Sequence, residues 1–234
     1  MWPGVICGLL GAMESTRFDL SDKTALVTGS GRGIGLAIAQ GLAEHGADVA
    51  LAARSEDQLA AACDRIEAEI DAKAWPFPVD LADLERLDDF FSEVVQATGG
   101  VDILVNCAGT TIRGPSEEVT LAEFNHVMEV NLTSALVLSQ ALCSHCREFK
   151  KPGRIVNIGS LTCQAARPTT AAYAASKAGL LGLTRRFLPG LLPPLRGVHG
   201  EGVSQARWIL EKFYHDAVST FLPTQKPVNN SDHL

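Results

Sequence analysis

The sequence predicts an α/β fold built on a doubly wound parallel sheet. From residue 24 to about residue 188, short apolar runs alternate with segments whose apolar residues recur at helical spacing. A glycine-rich turn follows the first apolar run and opens directly into a helical segment. Such alternation is the signature of repeated βαβ units, whose strands lie parallel in one sheet.

Five strands are predicted from the apolar runs, over residues 24–28, 49–53, 74–79, 101–106 and 154–159. Helices are predicted on the stripe of Ile34, Ile38 and Leu42, and over about residues 56–70, 83–97, 120–149 and 170–188. Pro76 and Pro78 interrupt the third run, and proline cannot donate to a sheet ladder. We therefore expect the third strand at an edge, as in the strand order 3-2-1-4-5-6 of doubly wound sheets.

Length and composition limit the class of protein. The 234 residues suit one domain, and 46% of them are hydrophobic. The formal net charge of -7 argues against broad binding to nucleic acid or to anionic membranes, since phosphate recognition needs clustered positive charge. Residues 1–12 are apolar but too short to span a bilayer, and they lack the basic start of a signal peptide. We expect them to be a disordered extension that precedes a globular domain over residues 13–188.

The six cysteines form no pair-of-pairs with the spacing of a zinc site. Cys143 and Cys146 make a CxxC motif with His145 between them, but they fall in a helical apolar pattern. We interpret the cysteines as reduced structural thiols and expect no metal. With no secretory signal in view, a cytoplasmic location is expected.

The turn after the first strand reads Thr28-Gly29-Ser30-Gly31-Arg32-Gly33-Ile34-Gly35. Glycines allow a sharp turn and let a pyrophosphate approach backbone N–H groups at the start of a helix. A glycine triplet alone is a weak signal, but a strand before it and a helix after it indicate a nucleotide site. The predicted cofactor contacts in this turn are Gly29, Ser30, Arg32, Gly33, Ile34 and Gly35.

The end of the second strand indicates which dinucleotide is bound. No carboxylate stands at residue 53 to accept hydrogen bonds from the ribose hydroxyls of NAD, and Arg54 follows instead. Arg54, with Arg32, is placed to pair with the 2′-phosphate of NADP, so NADP is favoured and NAD is the alternative. Asp80 and Leu81, after the third strand, are expected near the adenine. The competing interpretations are that Arg54 is a solvated loop cation and Asp80 an ordinary loop aspartate.

Redox chemistry is indicated by Tyr173 and Lys177, which lie four residues apart and share one face of a predicted helix. Transfer of a hydride to or from a carbonyl needs a proton partner for the oxygen, and a tyrosine beside an ammonium group supplies one. Ser160, after the fifth strand, is expected to donate a hydrogen bond to the developing alkoxide. Asn131 is expected to hold a water that links Lys177 to solvent.

With these residues the sequence resembles the short-chain dehydrogenases/reductases over about residues 16–186. The matching segments are TGSGRGIG at 28–35, VD at 79–80, NCAG at 106–109, Asn131, Ser160 and YAASK at 173–177. The resemblance implies a Rossmann fold, a dimer or tetramer built through the two long helices, and a small-molecule substrate. It also implies catalytic roles for Asn131, Ser160, Tyr173 and Lys177, and cofactor contacts from Asn106, Ala108, Gly109, Tyr173 and Lys177. Cys107 stands where the family has a second asparagine, so one hydrogen bond that stabilises the sheet in the family is in question.

A narrower likeness is to the gluconate 5-dehydrogenase and 2-deoxygluconate 3-dehydrogenase branch. It is carried by TTIRGPSEEVT at 110–120, EVNLTSA at 129–135 and GRIVNIGSL at 153–161. It implies a sugar acid such as gluconate or 5-ketogluconate as substrate, with Arg113 reaching its carboxylate and Ser160 contacting its reacting oxygen. The competing interpretation of Arg113 is a solvent-facing loop residue, and Arg167 is a second candidate. The same catalytic residues serve 3-oxoacyl reduction, which is the alternative activity.

The family pattern fails after about residue 186. Prolines at positions 189, 193 and 194 would break the helix, and neither a sixth strand nor the usual Pro-Gly turn follows. Residues 189–234 are therefore expected to form an atypical tail, with a separate helix over 204–222. Without a sixth strand, the run at 154–159 becomes an exposed edge. A third hypothesis is accordingly a catalytically impaired paralogue that binds a nucleotide or a protein partner.

Overall fold

The computed structural model describes residues 19–163 and 168–187, which form a parallel sheet with helices on both faces. The five strands are β1 (Thr24–Thr28), β2 (Asp48–Ala53), β3 (Ala74–Pro78), β4 (Ile103–Asn106) and β5 (Arg154–Asn157). Their order is β3-β2-β1-β4-β5, and every neighbouring pair is parallel. The predicted fold class is confirmed. The predicted extension at 1–12, the tail from residue 189 and Arg167 lie outside the described residues.

The helices are α1 (Gly33–Glu44), α2 (Glu56–Glu69), α3 (Leu87–Thr98), α4 (Leu121–Met128), α5 (Ser134–Glu148) and α6 (Ala171–Phe187). The long helical region predicted over about 120–149 is confirmed, and it contains one local irregularity. A π-helical turn, Glu129–Thr133, joins α4 to α5. Such turns inside α-helices are frequent at functional sites. Asn131 stands in the middle of this turn.

The prolines of β3 explain how this strand serves as an edge. The Val79 N–H donates to the Ala53 carbonyl at 2.9 Å, so the nitrogen atoms of Pro76 and Pro78 face the opposite, outer side. The ladder with β2 therefore loses no donor, and the open edge loses two. The other edge of the described sheet is β5, where Val156 is 42% exposed. The edge position of β3 agrees with the prediction from sequence, whereas the prediction for β5 depends on the tail, which lies outside the described residues.

Apolar side chains are buried on both faces of the sheet. In β1, Leu26 belongs to one buried cluster and Val27 to the other, since successive strand residues point to opposite faces. The cluster with Val27 reaches α2 through Leu59. The cluster with Leu26 reaches α3 through Phe90 and α5 through Leu138. Because both faces are covered, the strands read as continuous apolar runs rather than as alternating patterns.

The segment Leu121–Glu148 is long and apolar enough to cross a membrane by length and composition alone. Its inner face, however, is packed inside the protein. Leu138 and Leu142 are fully buried, and both belong to the core cluster that contains Leu104 of β4. A buried face of this kind is that of a core helix, and the segment carries no argument for a membrane.

His145 is a buried residue of α5 that packs against the segment leading into β4. Its ring lies 4.8 Å from the ring of Phe149, and its Nε2 faces the N–H of Val101 at 3.4 Å. Burial lowers the pKa of His145, and the nearby Lys151 ammonium lowers it further. The flanking Cys143 and Cys146 are also buried, and burial raises the pKa of both thiols. The CxxC motif is thus a pair of protonated packing residues, and no metal-ligand cluster occurs in the described ranges.

We predict that His145 makes the protein less stable in mild acid. The unfolded chain takes up a proton near the ordinary histidine value of about 6.5, whereas the folded chain takes it up only at lower pH. The free energy of unfolding should therefore fall more steeply in the wild type than in His145→Gln between about pH 7.5 and 5.5. Urea unfolding followed by circular dichroism measures both slopes. Equal slopes would show that His145 does not contribute.

Candidate functional site

A groove of about 750 Å³ runs across the carboxyl ends of all five strands. Its walls come from the glycine turn after β1 and from residues 53–55, 79–81, 107–110 and 158–159, which follow β2, β3, β4 and β5. The strands β1 and β4 are neighbours from which the chain leads to opposite halves of the sheet. A crevice opens where the strand order reverses in this way, and ligands of doubly wound sheets bind there.

The glycine turn is shaped by backbone contacts that side chains would block. Gly29 and Gly33 have φ values of 69° and 61°, in the left-handed region that favours glycine. A Cβ on Gly35 would overlap the carbonyl of Gly29, and one on Gly29 would lie 2.7 Å from the Cα of Ala108. The turn therefore lies directly against the segment after β4, and its backbone lines the groove.

The first turn of α1 is suited to an anion. It contains no acidic side chain, and Arg32 at the N-cap makes no side-chain capping hydrogen bond. The first N–H groups of a helix have no partner within the helix and carry partial positive charge. Ile34 lines the groove beside them and is 68% exposed, which is unusual for its size and apolar character. This end of the groove therefore offers backbone N–H donors to an anion, with the apolar surface of Ile34 beside them.

Ser30 supports the turn from behind. Its hydroxyl donates to the Val27 carbonyl at 2.8 Å and accepts the Ala52 N–H at 2.9 Å. The residue is fully buried and does not line the groove. Sequence reasoning placed Ser30 among the cofactor contacts, whereas the structure directs its side chain into the backbone of β1 and β2.

Thr28 fixes the segment after β4. Its hydroxyl accepts the N–H groups of Cys107 at 3.1 Å and Ala108 at 3.2 Å, and it donates to the Val105 carbonyl at 3.3 Å. Cys107, in place of the family's asparagine, put one hydrogen bond of this segment in question, and Thr28 was not among the predicted site residues. The threonine hydroxyl supplies bonds to the segment's backbone, which depend on no side chain at residue 107.

The groove carries positive charge although the chain as a whole carries -7. Among the described residues, Arg32, Arg54 and Lys177 line it, together with the carboxylate of Asp80. The Asp80 carboxylate accepts the N–H of Ala82 at 3.0 Å, which fixes its orientation at the end of β3. A groove with this excess of cations attracts a ligand with several negative charges.

Tyr173 and Lys177 both line the groove from α6. Lys177 is only 3% exposed, and its ammonium donates to the carbonyl of Ile158 at 2.7 Å. Burial lowers the pKa of Lys177, because the charged form loses water. Tyr173 is half-buried one helical turn earlier, so a phenol and an ammonium group face the same cavity.

Asn131 holds two neighbouring segments together. Its Oδ1 accepts the N–H of Thr110 at 2.7 Å, and its Nδ2 donates to the Thr110 carbonyl at 2.9 Å. The same Nδ2 donates to the hydroxyl of Ser176 at 3.0 Å, and that hydroxyl donates to the Tyr173 carbonyl at 2.8 Å. Asn131 is 1% exposed, so its first role is to position the backbone on both sides of the groove.

Ser160 lies beyond β5 and is half-buried. Its hydroxyl accepts the N–H of Thr162 at 3.3 Å and the hydroxyl of Thr162 at 2.9 Å. Because both bonds are accepted, the hydrogen of the Ser160 hydroxyl is available for a further acceptor. Thr162, which sequence reasoning did not single out, orients this donor.

Most of the predicted contacts come together in the groove. Those that line it are Gly29, Arg32, Gly33, Ile34, Gly35, Arg54, Asp80, Leu81, Ala108, Gly109, Tyr173 and Lys177. Residues that do not line the described groove are Ser30, Asn106, Arg113, Asn131 and Ser160. Arg113 is exposed to solvent, which is the competing interpretation of that residue.

The groove also contains residues that sequence reasoning missed. They include Ser55, Gln58, Thr110, His126 and Val130. Gln58 could have been predicted, because it lies in the first turn of α2, four residues after Arg54. His126 and Val130 lie four residues apart on a segment that leads to Asn131, which also fits one helical face. No local motif marked either residue.

Comparison with known proteins gives a consistent family. The model of the short chain dehydrogenase family matches residues 23–190. The gluconate 5-dehydrogenase of Gluconobacter oxydans (strain 621H) is 38% identical over 168 residues, which are 72% of this chain and 65% of that protein. A 3-oxoacyl-(acyl-carrier-protein) reductase of Vibrio cholerae is 38% identical over 167 residues, covering 71% of this chain and 66% of that protein.

A solved structure of a metagenomic short-chain oxidoreductase in complex with NADP has a TM-score of 0.68 to this chain and is 36% identical. The match covers 73% of this chain and 79% of that chain. The chain spans just under two thirds of the length of the gluconate 5-dehydrogenase that it matches, at 65%. The likeness therefore covers the part of the fold that carries the groove.

We predict that Lys177 titrates below the exposed lysines of the same protein. The cause is its burial, which penalises the charged ammonium group. Protein labelled with [13Cε]lysine and followed by NMR against pH reports each lysine, and Lys177→Met identifies the resonance of Lys177. The exposed Lys23 is the internal control. A titration midpoint of Lys177 at or above that of Lys23 would show that water reaches the Lys177 ammonium group.

Proposed function

We propose that this chain, which belongs to the short-chain dehydrogenase family, transfers a hydride between NADP(H) and a hydroxy or keto substrate. The observation that carries the proposal is one groove that holds Tyr173 and Lys177 together with the glycine turn. A phosphate cradle and an acid/base pair in the same cavity suit a reaction between a bound dinucleotide and a small substrate.

The residues of the groove fit NADP(H). A Cβ on Gly33 would meet no protein atom within 4 Å, so the backbone of the turn opens directly onto the space that a phosphate would occupy. Residues 29–35 would hold the pyrophosphate, Arg32 and Arg54 the 2′-phosphate, and Asp80 with Leu81 the adenine. The NADP complex of the metagenomic relative supports this choice of cofactor. NADP(H), when bound, supplies or accepts the hydride.

In the proposed reaction Tyr173 is the proton donor for the substrate oxygen in reduction and the proton acceptor in oxidation. The Lys177 ammonium, which faces the same cavity as the Tyr173 phenol, would hold the nicotinamide ribose hydroxyls. The Ser160 hydroxyl, with its hydrogen available, donates to the same substrate oxygen. Asn131 keeps the backbone of Tyr173 and Thr110 in place, and its Oδ1 has a second lone pair for a water that links Lys177 to solvent.

A sugar acid such as gluconate or 5-ketogluconate is the proposed substrate. The similarity to a gluconate 5-dehydrogenase supports it. Arg113 would have to turn from solvent toward the groove to meet the carboxylate, because it is exposed in this structure. The equal identity to a 3-oxoacyl reductase supports 3-oxoacyl thioesters as the second candidate.

The cellular location, the domain bounds and the oligomeric state of the enzyme are also proposed. The described cysteines are all free thiols, which supports a cytoplasmic location. We further propose a domain over residues 13–188 and a dimer or tetramer formed through α4, α5 and α6. The family model matches this chain only to residue 190, and the alternative is an impaired nucleotide-binding paralogue, which the next experiments separate from an active enzyme.

We predict that Arg54→Asp reverses the cofactor preference. Replacing a cation by a carboxylate removes a charge-assisted contact to the 2′-phosphate and adds repulsion, so the affinity for NADPH should fall about tenfold or more. Fluorescence titration with NADPH and NADH measures both dissociation constants. Arg65→Asp, an exposed residue of α2 paired with Glu69, is the matched control and should bind both cofactors as the wild type does. An unchanged NADPH preference in Arg54→Asp would refute this contact.

We predict that Tyr173→Phe retains NADPH binding and loses turnover by a factor of about 10² to 10⁴, since the acid/base group is gone. Oxidation of NADPH is followed with 5-ketogluconate and, separately, with a 3-oxoacyl thioester. Turnover of the first supports a sugar-acid dehydrogenase, and turnover of the second alone supports the acyl reductase. Wild-type protein that binds NADPH but turns over neither compound would support the impaired paralogue.

A further inference from the structure

We propose that Asn157 and Thr184 are positioning residues that set the place of α6, and with it Lys177 and Tyr173, against the end of β5. Nothing in the chemistry of the groove requires these two residues, and neither lines it. Their effect on turnover rests on the proposed function. Their effect on the geometry of Lys177 does not.

The contact between them joins a strand end to a helix. Asn157 is the last residue of β5 and is 8% exposed. Its Nδ2 donates to the hydroxyl of Thr184 at 2.9 Å, and that hydroxyl donates to the Leu180 carbonyl one turn earlier at 2.7 Å. The threonine hydroxyl thus uses its hydrogen on its own helix and presents a lone pair to the strand. The bond from Asn157 therefore fixes which side of α6 faces the end of β5.

A second bond acts on the same helix face. The Lys177 ammonium donates to the carbonyl of Ile158, the residue next to Asn157, at 2.7 Å. Lys177 and Thr184 are seven residues apart, which is about two helical turns or roughly 10 Å along the axis. Two attachments at that separation oppose both sliding of α6 along β5 and rotation of α6 about its own axis.

The strand side of the contact is itself held by β4. The Asn106 Nδ2 donates to the Asn157 Oδ1 at 2.8 Å, and the Ile158 N–H donates to the Asn106 carbonyl at 2.9 Å. Asn106 directly precedes the segment 107–110 that lines the groove. Within the described sheet β5 has β4 as its one neighbour. The side-chain relay from Asn106 through Asn157 to Thr184 therefore ties the cofactor segment, the edge strand and the catalytic helix into one frame.

A general loss of packing would be the trivial effect of removing the Thr184 hydroxyl, because it leaves a buried amide without its acceptor. A positioning role predicts, in addition to lost stability, a specific change in the surroundings of Lys177. If α6 shifts, the ammonium moves away from the Ile158 carbonyl and toward water. Its titration then moves toward that of an exposed lysine, as burial is the main cause of its lowered pKa. The thiols of Cys107 and Cys163 lie beside it and are unchanged by the substitution.

The test compares Thr184→Val, which removes the hydroxyl at constant shape, with Thr184→Ser, which retains it. Thr98→Val is the matched control, since the Thr98 hydroxyl also donates to a carbonyl four residues earlier, at 2.8 Å, but lies on α3. Thr184→Ala is the second variant if the valine protein does not fold. Each protein is labelled with [13Cε]lysine, its Lys177 midpoint is read by NMR, and its stability is measured by urea unfolding.

We expect Thr184→Val to raise the Lys177 midpoint toward that of Lys23, Thr184→Ser to keep the wild-type midpoint, and Thr98→Val to lose stability without moving Lys177. If wild-type turnover exists, Thr184→Val should lower kcat about tenfold and leave the KM for NADPH within about twofold, because a small misplacement harms the chemical step more than binding. Loss of stability with an unmoved Lys177 midpoint would overturn the proposal. Absence of turnover in the wild type would overturn the proposed function alone, since the NMR result does not depend on it.

Discussion

Lys177 keeps its ammonium group almost entirely out of water, and the rest of the site is arranged around that burial. A buried charge is costly unless it is hydrogen-bonded, and here the partner is the Ile158 carbonyl at 2.7 Å. That carbonyl is available because the β5 ladder ends at Asn157. This hydrogen bond therefore links the point at which β5 ends to the position of α6, and both determine how deep the groove is. Shifting any one of them would leave an ammonium group without its acceptor.

The strand ends impose the second layer of order. Each strand of the sheet delivers a segment to the groove, so residues far apart in the chain meet there without local signals. The hydroxyls of Thr28 and Ser30 bind backbone rather than ligand, and they keep the glycine turn against β2 and the segment after β4. At the glycine turn the groove is thus lined by backbone, while the hydroxyls behind the turn hold its shape.

Patterns within one stretch of chain predicted the larger part of the fold. The apolar runs gave the strands to within two residues, and the prolines of β3 placed that strand at an edge. The glycine turn and the Tyr173–Lys177 spacing located the groove, since each is a property of neighbouring residues. What escaped prediction depends on pairs distant in sequence, such as Thr28 with Cys107 and Asn157 with Thr184. The π turn around Asn131 escaped for another reason, because apolar spacing hardly distinguishes it from an α-helix.

The prolines at the β3 edge also restrict how copies of this protein can stack side by side. Adding β5 of one copy to β3 of the next would repeat without closing, which is the geometry of an open fibre. Pro76 and Pro78 remove two donors from the outer side of β3, so that such a head-to-tail repeat lacks those two hydrogen bonds at the joint. Within the described sheet the β5 edge contains no proline, and pairing of that edge with itself would be closed by a two-fold axis after two chains.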